Sequence, residues 1–278
     1  MNTYELRKSV GTILVSPHPD DVAFSVGGTI LTTLLPRPFL IVSLFTRSAY
    51  APYHAGNHDP DTVSLIREKE DMAFAQSTGS HLVRLNFRDS ALNVGTREGK
   101  FPLLFLSTLL YKWPRPESPF ERNLTRISSK GPPMLKHRLI LEAARFDRRY
   151  RLLEAAISKL LHKNQDAVLI SPLGLGCHPD HLLASRACKR LGHLADKVYY
   201  YEDLPYARRY SIEGIAKHAR GLDRKLRPLR VDISGLVESK TRNLLLYRSQ
   251  VSSDHVMETK EHTARLGNGA WFEELWTY

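Results

Sequence analysis

Two clusters of histidine and aspartate are the residues of this sequence best suited to chemistry. The tripeptide His-Pro-Asp occurs at residues 18–20 and again at residues 178–180. The first copy continues with Asp21 and the second with His181, so each cluster offers several metal ligands. Imidazole and carboxylate groups bind zinc and its first-row neighbours, and a catalytic site needs three of them beside an open position for water. The doubled motif therefore indicates one divalent metal site built from two distant segments.

Each cluster follows an apolar run that ends in Ser-Pro, at residues 13–17 and 168–172. Such runs are typical of buried strands. Pro19 restricts the backbone of the tight turn after the first run, and Pro179 suits the first position of a helix. If the two strands are parallel neighbours, both clusters lie at the same carboxyl edge, where open α/β sheets bind their ligands.

The two adjacent carboxylates of the first cluster suggest two different roles. Because Asp20 and Asp21 are neighbours, the economical assignment gives one to the metal and the other to acid/base catalysis. A single His-Pro-Asp triplet would more often be a turn or a helix cap, but two copies after two strands favour the metal. Cys177 is better explained as a small buried residue, since histidines and carboxylates already supply enough ligands.

The wider pattern predicts an α/β fold. Strand-like segments at residues 12–16, 39–45, 81–87, 167–171 and 197–201 alternate with helix-like segments at 22–35, 61–76, 138–162 and 179–191. This alternation predicts one domain over residues 1–278, with a Rossmann-like, mostly parallel sheet, helices on both faces and the metal site at the carboxyl ends of the strands. Residues 96–137, rich in proline and basic residues, are predicted to be an insertion or lid. From residue 205 the chain is predicted to be mostly helical, with an edge strand at 231–233 and Ser234 as a helix cap.

Composition places the chain among ordinary globular proteins. It has 278 residues, of which 42% are hydrophobic and 25% charged. No apolar run approaches the roughly 18 residues of a membrane span, and the first residues lack a secretory signal. Two cysteines are too few for a disulfide framework, so a cytoplasmic location is expected. The net charge of +11 is dispersed without the spacing of a nucleic-acid-binding motif. A solvated basic surface is expected, with no nucleic-acid partner, and anion steering is the weaker alternative.

These motifs resemble those of a known family. Ser-Pro-His-Pro-Asp-Asp at residues 16–21, Gly27-Gly28 and Cys-His-Pro-Asp-His at 177–181 resemble the PIG-L/LmbE-like deacetylases, in particular a bacterial branch. Residues 67–70, 201–206 and 247–250 extend the resemblance, which spans about residues 12–250. Many members have Glu after the Asp pair, where this chain has Val22, but the branch with Ser-Pro-His lacks that Glu too. The resemblance implies removal of an acetyl group from an N-acetylglucosaminyl conjugate by metal-activated water. It implies Zn²⁺ as the cofactor, with another divalent first-row metal as the alternative.

The resemblance also implies roles for individual residues. It makes His18, Asp21 and His181 the metal ligands, Asp20 the general base and His178 the group that stabilises the oxyanion. It leaves Asp180 without chemistry, as a residue at the start of a helix.

Three further residues are candidates for substrate contacts, and each has a plain structural alternative. Arg67 and Asp89 would contact sugar hydroxyls, and Tyr206 would line the pocket with its ring. An exposed helix residue paired with Glu70 or Asp71 explains Arg67 equally well. For Asp89 the role of a loop cap is slightly favoured, and an aromatic residue in the position of Tyr206 more often belongs to the core.

Two other functions fit the same residues. The basic surface would suit a metal-dependent phosphoesterase, although such enzymes often use two metals and the sequence shows one ligand set. A catalytically idle sugar-binding member of the fold would lack a ligand or the base, and none is missing. The expected partner is a small acetylamino-sugar, whose identity the sequence leaves open, as it does the oligomeric state.

Overall fold

A seven-stranded sheet forms the centre of the protein in the computed structural model, which describes residues 9–93 and 148–278. The strand order is β3-β2-β1-β4-β5-β7-β6. Strands β1 to β5 pair in parallel, and β7 is antiparallel to both of its neighbours. The predicted mostly parallel sheet is thus confirmed. The strands are β1 (Thr12–Ser16), β2 (Phe39–Ser43), β3 (His81–Arg84), β4 (Val168–Pro172), β5 (Lys197–Tyr201), β6 (Arg227–Asp232) and β7 (Phe272–Thr277).

Helices flank this sheet. Those of the described ranges are α1 (Asp21–Val26), α2 (Pro60–Thr78), α3 (Ser90–Asn93), α4 (Arg148–Lys163), α5 (Pro179–Leu191), α6 (Ile212–Leu222), α7 (Val237–Leu244) and α8 (Ser253–Ala264). Helix α2 begins at a capping residue, Asp59, whose side chain accepts from the backbone N–H groups of Asp61 and Thr62. It ends at Gly79, whose left-handed φ of 62° is the usual conformation for terminating a helix. None of the helices in these ranges is long and apolar enough to cross a membrane.

Neighbouring strands β1 and β4 bring the two motifs together. They pair in register, with Thr12 opposite Val168 and Leu14 opposite Ile170. Every residue of both strands is buried, so the apolar runs that the sequence shows are explained by cover on both faces. Full burial of a side chain such as Leu14 or Ile170 contributes about 1.5–3 kcal/mol. Because the strands are parallel, both His-Pro-Asp segments emerge at one edge of the sheet.

Helix α1 is shorter than the sequence predicts. The predicted helix at residues 22–35 ends at Val26, and a 3₁₀ turn at Thr29–Leu31 follows. The backbone N–H groups of Gly28 and Thr29 donate to the carboxylate of Glu273, at 2.8 and 2.6 Å. A helix that continued through this point would direct these groups to its own carbonyls, so the long-range carboxylate ends it.

The C-terminal region adds two strands to its helices. Strand β6 forms the edge of the sheet and overlaps the predicted edge strand, which is confirmed. The sequence pattern does not predict β7, which lies between β5 and β6. Ser234 is not a helix cap: its hydroxyl donates to Asp232 and accepts from the backbone N–H of Trp271, so it joins the end of β6 to the start of β7. The predicted insertion at 96–137 and the first part of the predicted helix at 138–162 lie outside the described residues.

Candidate metal-dependent active site

Three side chains from the two motifs converge at the carboxyl edge of β1 and β4. Oδ2 of Asp21 lies 3.4 Å from Nδ1 of His18 and 3.3 Å from Nε2 of His181. The same oxygen accepts from the backbone N–H of His18 at 2.6 Å, which fixes the carboxylate against the turn. All three side chains are largely or fully buried. The structure therefore brings together the three residues that the resemblance implies as ligands.

A buried imidazole nitrogen shows that these residues fit a metal ion. Nε2 of His181 is buried and finds no hydrogen-bond partner among the described residues. Its other nitrogen, Nδ1, lies 2.7 Å from Oδ1 of Asp203. A histidine that is bonded to a carboxylate through one nitrogen and directs the other into a site is the usual arrangement of a metal ligand. A buried polar atom without a partner destabilises a protein, and a bound cation would remove that penalty.

The charges around the ligands also suit a cation. Burial favours the neutral form of His18, but hydrogen bonds and charges from Asp180 and Asp21 outweigh it and raise the pKa of His18 to about 10. Burial likewise disfavours the charged form of His181, and Asp21 and Asp203 raise its pKa. Both imidazoles thus lie in a negative environment, which favours binding of a divalent cation.

His178 is the fourth group at this point. Single ligand atoms of His18, His178 and His181 lie within 4.8 Å of one another. His178 caps α5, because its Nδ1 accepts from the backbone N–H of Asp180 at 3.3 Å. Burial lowers the pKa of His178 to about 3. The imidazole is therefore neutral at ordinary pH, and with Nδ1 as acceptor it carries its proton on Nε2 and acts as a donor.

Asp180 has a larger part in the site than the sequence suggests. Its fully buried carboxylate lies 3.2 Å from Nε2 of His18 and 3.0 Å from a guanidinium nitrogen of Arg149. Ser90 donates to it twice, through its backbone N–H and its hydroxyl. Burial alone would raise the pKa of Asp180, but Arg149 and His18 hold it below its usual range. This residue is more than a helix start, and only its place in a His-Pro-Asp-His run could have drawn attention to it.

Asp20, the neighbour of Asp21 in the chain, has a charged side-chain partner. A guanidinium nitrogen of Arg67 is 3.2 Å from Oδ1 of Asp20. Arg67 is 3% exposed, so the alternative of an exposed helix residue is wrong. Its predicted partners are engaged elsewhere: Glu70 accepts from Ser249, and Asp71 accepts from the hydroxyl of Tyr247. Arg67 thus fixes Asp20 from within the protein.

Tyr206 lies against the two histidines of the second motif. Its ring centroid is 6.0 Å from that of His178 and 5.1 Å from that of His181. Gly176 makes this approach possible, because a Cβ on it would lie 2.7 Å from Cβ of Tyr206. The half-buried ring therefore borders the site.

Asp89 is a buried residue that caps the start of α3. It is buried, and its Oδ1 accepts from the backbone N–H of Leu92 at 2.8 Å, as expected for the residue that precedes α3. Burial and the charge of Asp180 raise its pKa. The contacts of Asp89 are those of a loop cap, the alternative that the sequence favours.

The fold and these residues define the family. The chain belongs to the PIG-L family, described as GlcNAc-PI de-N-acetylase, whose model matches residues 13–191, more than half of the chain and both His-Pro-Asp motifs.

Several of the proteins to which the chain is similar are named as deacetylases. The chain is similar to 2'-N-acetylparomamine deacetylase of Streptomyces fradiae, with 29% identity over 266 residues that cover 94% of this chain and 80% of the relative. Among solved structures it resembles the zinc-inhibited form of the teicoplanin deacetylase Orf2, with a TM-score of 0.62, 19% identity and coverage of 96% and 97% of the two chains. It also resembles N,N'-diacetylchitobiose deacetylase from Pyrococcus horikoshii, with a TM-score of 0.59, 16% identity and coverage of 99% and 86%. At these identities the solved structures support the fold.

Proposed function

We propose that the protein is a metal-dependent N-deacetylase that hydrolyses the acetyl amide of an N-acetylated amino sugar conjugate of the N-acetylglucosaminyl type. The observation that carries the proposal is the buried Nε2 of His181, which lies without a hydrogen-bond partner in the described structure and faces Asp21 and His18. The family and the 29% identical relative, itself named as a deacetylase of an N-acetylated substrate, support the same chemistry.

The ligand set leaves one carboxylate for proton transfer. A divalent first-row metal, with Zn²⁺ as the first choice, would be held by His18, Asp21 and His181, and would supply a water of lowered pKa and polarise the acetyl carbonyl. Asp20 takes the proton of the water while the water oxygen bonds to the carbonyl carbon. Arg67 holds the carboxylate of Asp20 in place through their contact at 3.2 Å.

The neutral His178 stabilises the carbonyl oxygen of the acetyl group. As the carbonyl oxygen gains negative charge, Nε2–H of His178 donates a hydrogen bond to it. The carbon–nitrogen bond then breaks, and Asp20 returns its proton to the departing nitrogen. The products are acetate and the free amino sugar. This role for His178 needs a donor and no positive charge, in agreement with its lowered pKa.

The sugar is proposed to lie against the ring of Tyr206. An aromatic ring beside His178 and His181 offers an apolar face to the apolar face of a sugar. Arg67 would contact sugar hydroxyls only through the part of its guanidinium that Asp20 leaves available. Asp89 is the weakest candidate, since its Oδ1 already accepts from Leu92.

Mass spectrometry over a panel of N-acetylated sugar conjugates tests this function. The metal-loaded protein should remove 42 mass units from at least one conjugate (roughly the mass lost when an acetyl group is replaced by hydrogen) and release one acetate per amine formed, and a chelator should abolish both. Phosphorylated sugars in the same panel test the phosphoesterase alternative through phosphate release. Protein that holds a full equivalent of metal yet removes no acetyl group would refute the proposal and favour a sugar-binding role.

A further inference from the structure

Arg149 contacts the metal site without touching a ligand. We propose that Arg149 is a positioning residue of this site, which acts through Asp180 on the imidazole of His18 and so sets the affinity for the metal. The inference rests on the proposed function only in its assumption that His18 is a ligand.

The guanidinium of Arg149 is held in one orientation inside the protein. Its side chain is largely buried. One terminal nitrogen lies 3.0 Å from Oδ1 of Asp180 and 3.1 Å from the carbonyl oxygen of Arg88, and the other lies 3.4 Å from the hydroxyl of Ser90. A planar guanidinium with several fixed acceptors is preorganised, which a lysine ammonium on its flexible stem is not.

The two oxygens of Asp180 have separate partners. Oδ1 accepts from Arg149 and, at 2.5 Å, from the hydroxyl of Ser90. Oδ2 accepts from the backbone N–H of Ser90 at 2.9 Å and lies 3.2 Å from Nε2 of His18. Because Arg149 and Ser90 fix Oδ1, the carboxylate cannot rotate, and Oδ2 stays directed at His18.

This contact determines which nitrogen of His18 remains for a metal. Because Oδ2 of Asp180 accepts the proton on Nε2, the nitrogen that can give up its proton to a metal is Nδ1, on the side of Asp21. A carboxylate that hydrogen-bonds to a ligand histidine sets the tautomer and the ring orientation of that histidine. Without Arg149, the buried charge of Asp180 would lose its guanidinium partner, and of the two groups that fix Oδ1 only Ser90 would remain. The lone pair of Nδ1 would then be less well directed.

Cobalt(II) binding to the metal-free protein tests the inference without any substrate. We expect Arg149→Met to weaken cobalt binding by about 10–100-fold, measured by competition with a chromophoric chelator, and to change the visible spectrum of bound cobalt. Arg149→Lys should lose a smaller part of the affinity, since lysine keeps the positive charge but lacks the planar guanidinium with its several donors. Arg190→Met is the matched control: Arg190 joins the same two helices, α4 and α5, through Glu154 but is 70% exposed and away from the site.

A double-mutant cycle shows whether Arg149 acts through Asp180. If it does, Arg149→Met combined with Asp180→Asn should bind cobalt about as tightly as Asp180→Asn alone. Additive losses would overturn the inference, as would wild-type affinity in folded Arg149→Met. If Arg149→Met does not fold by circular dichroism, the same cycle with Arg149→Lys decides. A wild-type protein that binds cobalt but deacetylates no sugar would refute the proposed function and leave this cycle valid.

Discussion

Nδ1 of His181 lies 2.7 Å from Oδ1 of Asp203, and both side chains are fully buried. Asp203 follows β5 and is itself fixed, because its second oxygen accepts from the backbone N–H of Leu175 at 3.0 Å. The carboxylate thus holds the imidazole from the side opposite the metal site. It keeps the proton of His181 on Nδ1 and leaves Nε2 for a metal.

Asp203→Asn should therefore weaken metal binding while the fold remains. The amide keeps the shape of the carboxylate but loses its charge, and we expect about 10–100-fold lower affinity for zinc or cobalt by chelator competition. Asp196→Asn, a change outside the site just before β5, is the control and should have no effect. Unchanged metal affinity in Asp203→Asn would contradict the role assigned to this contact.

Replacement of each of the two adjacent aspartates by asparagine should have different effects on metal binding and on turnover. Asp20→Asn should keep a full equivalent of metal but lower kcat by about 10²–10⁴-fold, because the amide cannot accept the proton of water. Asp21→Asn should lose the metal, since a charged ligand is removed. Metal content by plasma emission and turnover with the same substrate decide between the roles. Near wild-type turnover in Asp20→Asn would show that another group is the base.

The core of this site was predictable because its signal is local. The apolar runs before His18 and His178 mark β1 and β4, and parallel pairing then places both motifs at one edge. Strands that are covered on both faces read as continuous apolar runs, so the alternation of such runs with helices is enough to predict the parallel sheet.

Other parts of the site depend on contacts that no local pattern shows. Asp180 is surrounded by His18, Ser90 and Arg149, which are distant from it in sequence. The sequence pattern does not reveal strand β7, because two of its residues, Glu273 and Glu274, are buried carboxylates where a strand pattern expects apolar side chains. Glu273 is satisfied by Lys240 and by backbone N–H groups some 245 positions away. Its pairing therefore cannot be read from the sequence of the strand.

Gly176→Ala should impair activity by displacing Tyr206. Gly176 has φ of 81°, and its added Cβ would lie 2.7 Å from Cβ of Tyr206. Gly269→Ala is a matched control, since Gly269 has φ of 86° but no atom of the described residues lies within 4 Å of the position that its methyl group would take. Both changes should cost about 1–2 kcal/mol of stability in urea unfolding for the left-handed backbone. Only Gly176→Ala should also lower kcat/KM, and equal activity of the two variants would argue against a substrate contact by Tyr206.

Asp71 should make the stability of the protein depend on pH. Burial raises the pKa of this carboxyl from 3.8 to about 7, although Ser43, Arg84 and Tyr247 oppose the shift. Between pH 4 and 7 the folded state therefore binds a proton that the unfolded state has lost, so the free energy of unfolding falls as the pH rises through this window.

Asp71→Asn should remove that dependence. The neutral amide has no charge to bury, so the variant should gain stability relative to wild type between pH 5 and pH 8, on the order of a few kcal/mol. Urea unfolding at both pH values measures it, with Asp61→Asn as an exposed control. Parallel stability profiles of wild type and Asp71→Asn would refute the pKa shift.

The contact of Ser90 and Arg149 at Asp180 has an evolutionary consequence. These two residues are 59 positions apart, and one buried carboxylate joins the ends of that interval. Because the same carboxylate also faces His18, a replacement of Asp180 would release the start of α3, the start of α4 and a proposed metal ligand in one step. We therefore expect related chains to keep Asp180 together with its partners Ser90 and Arg149.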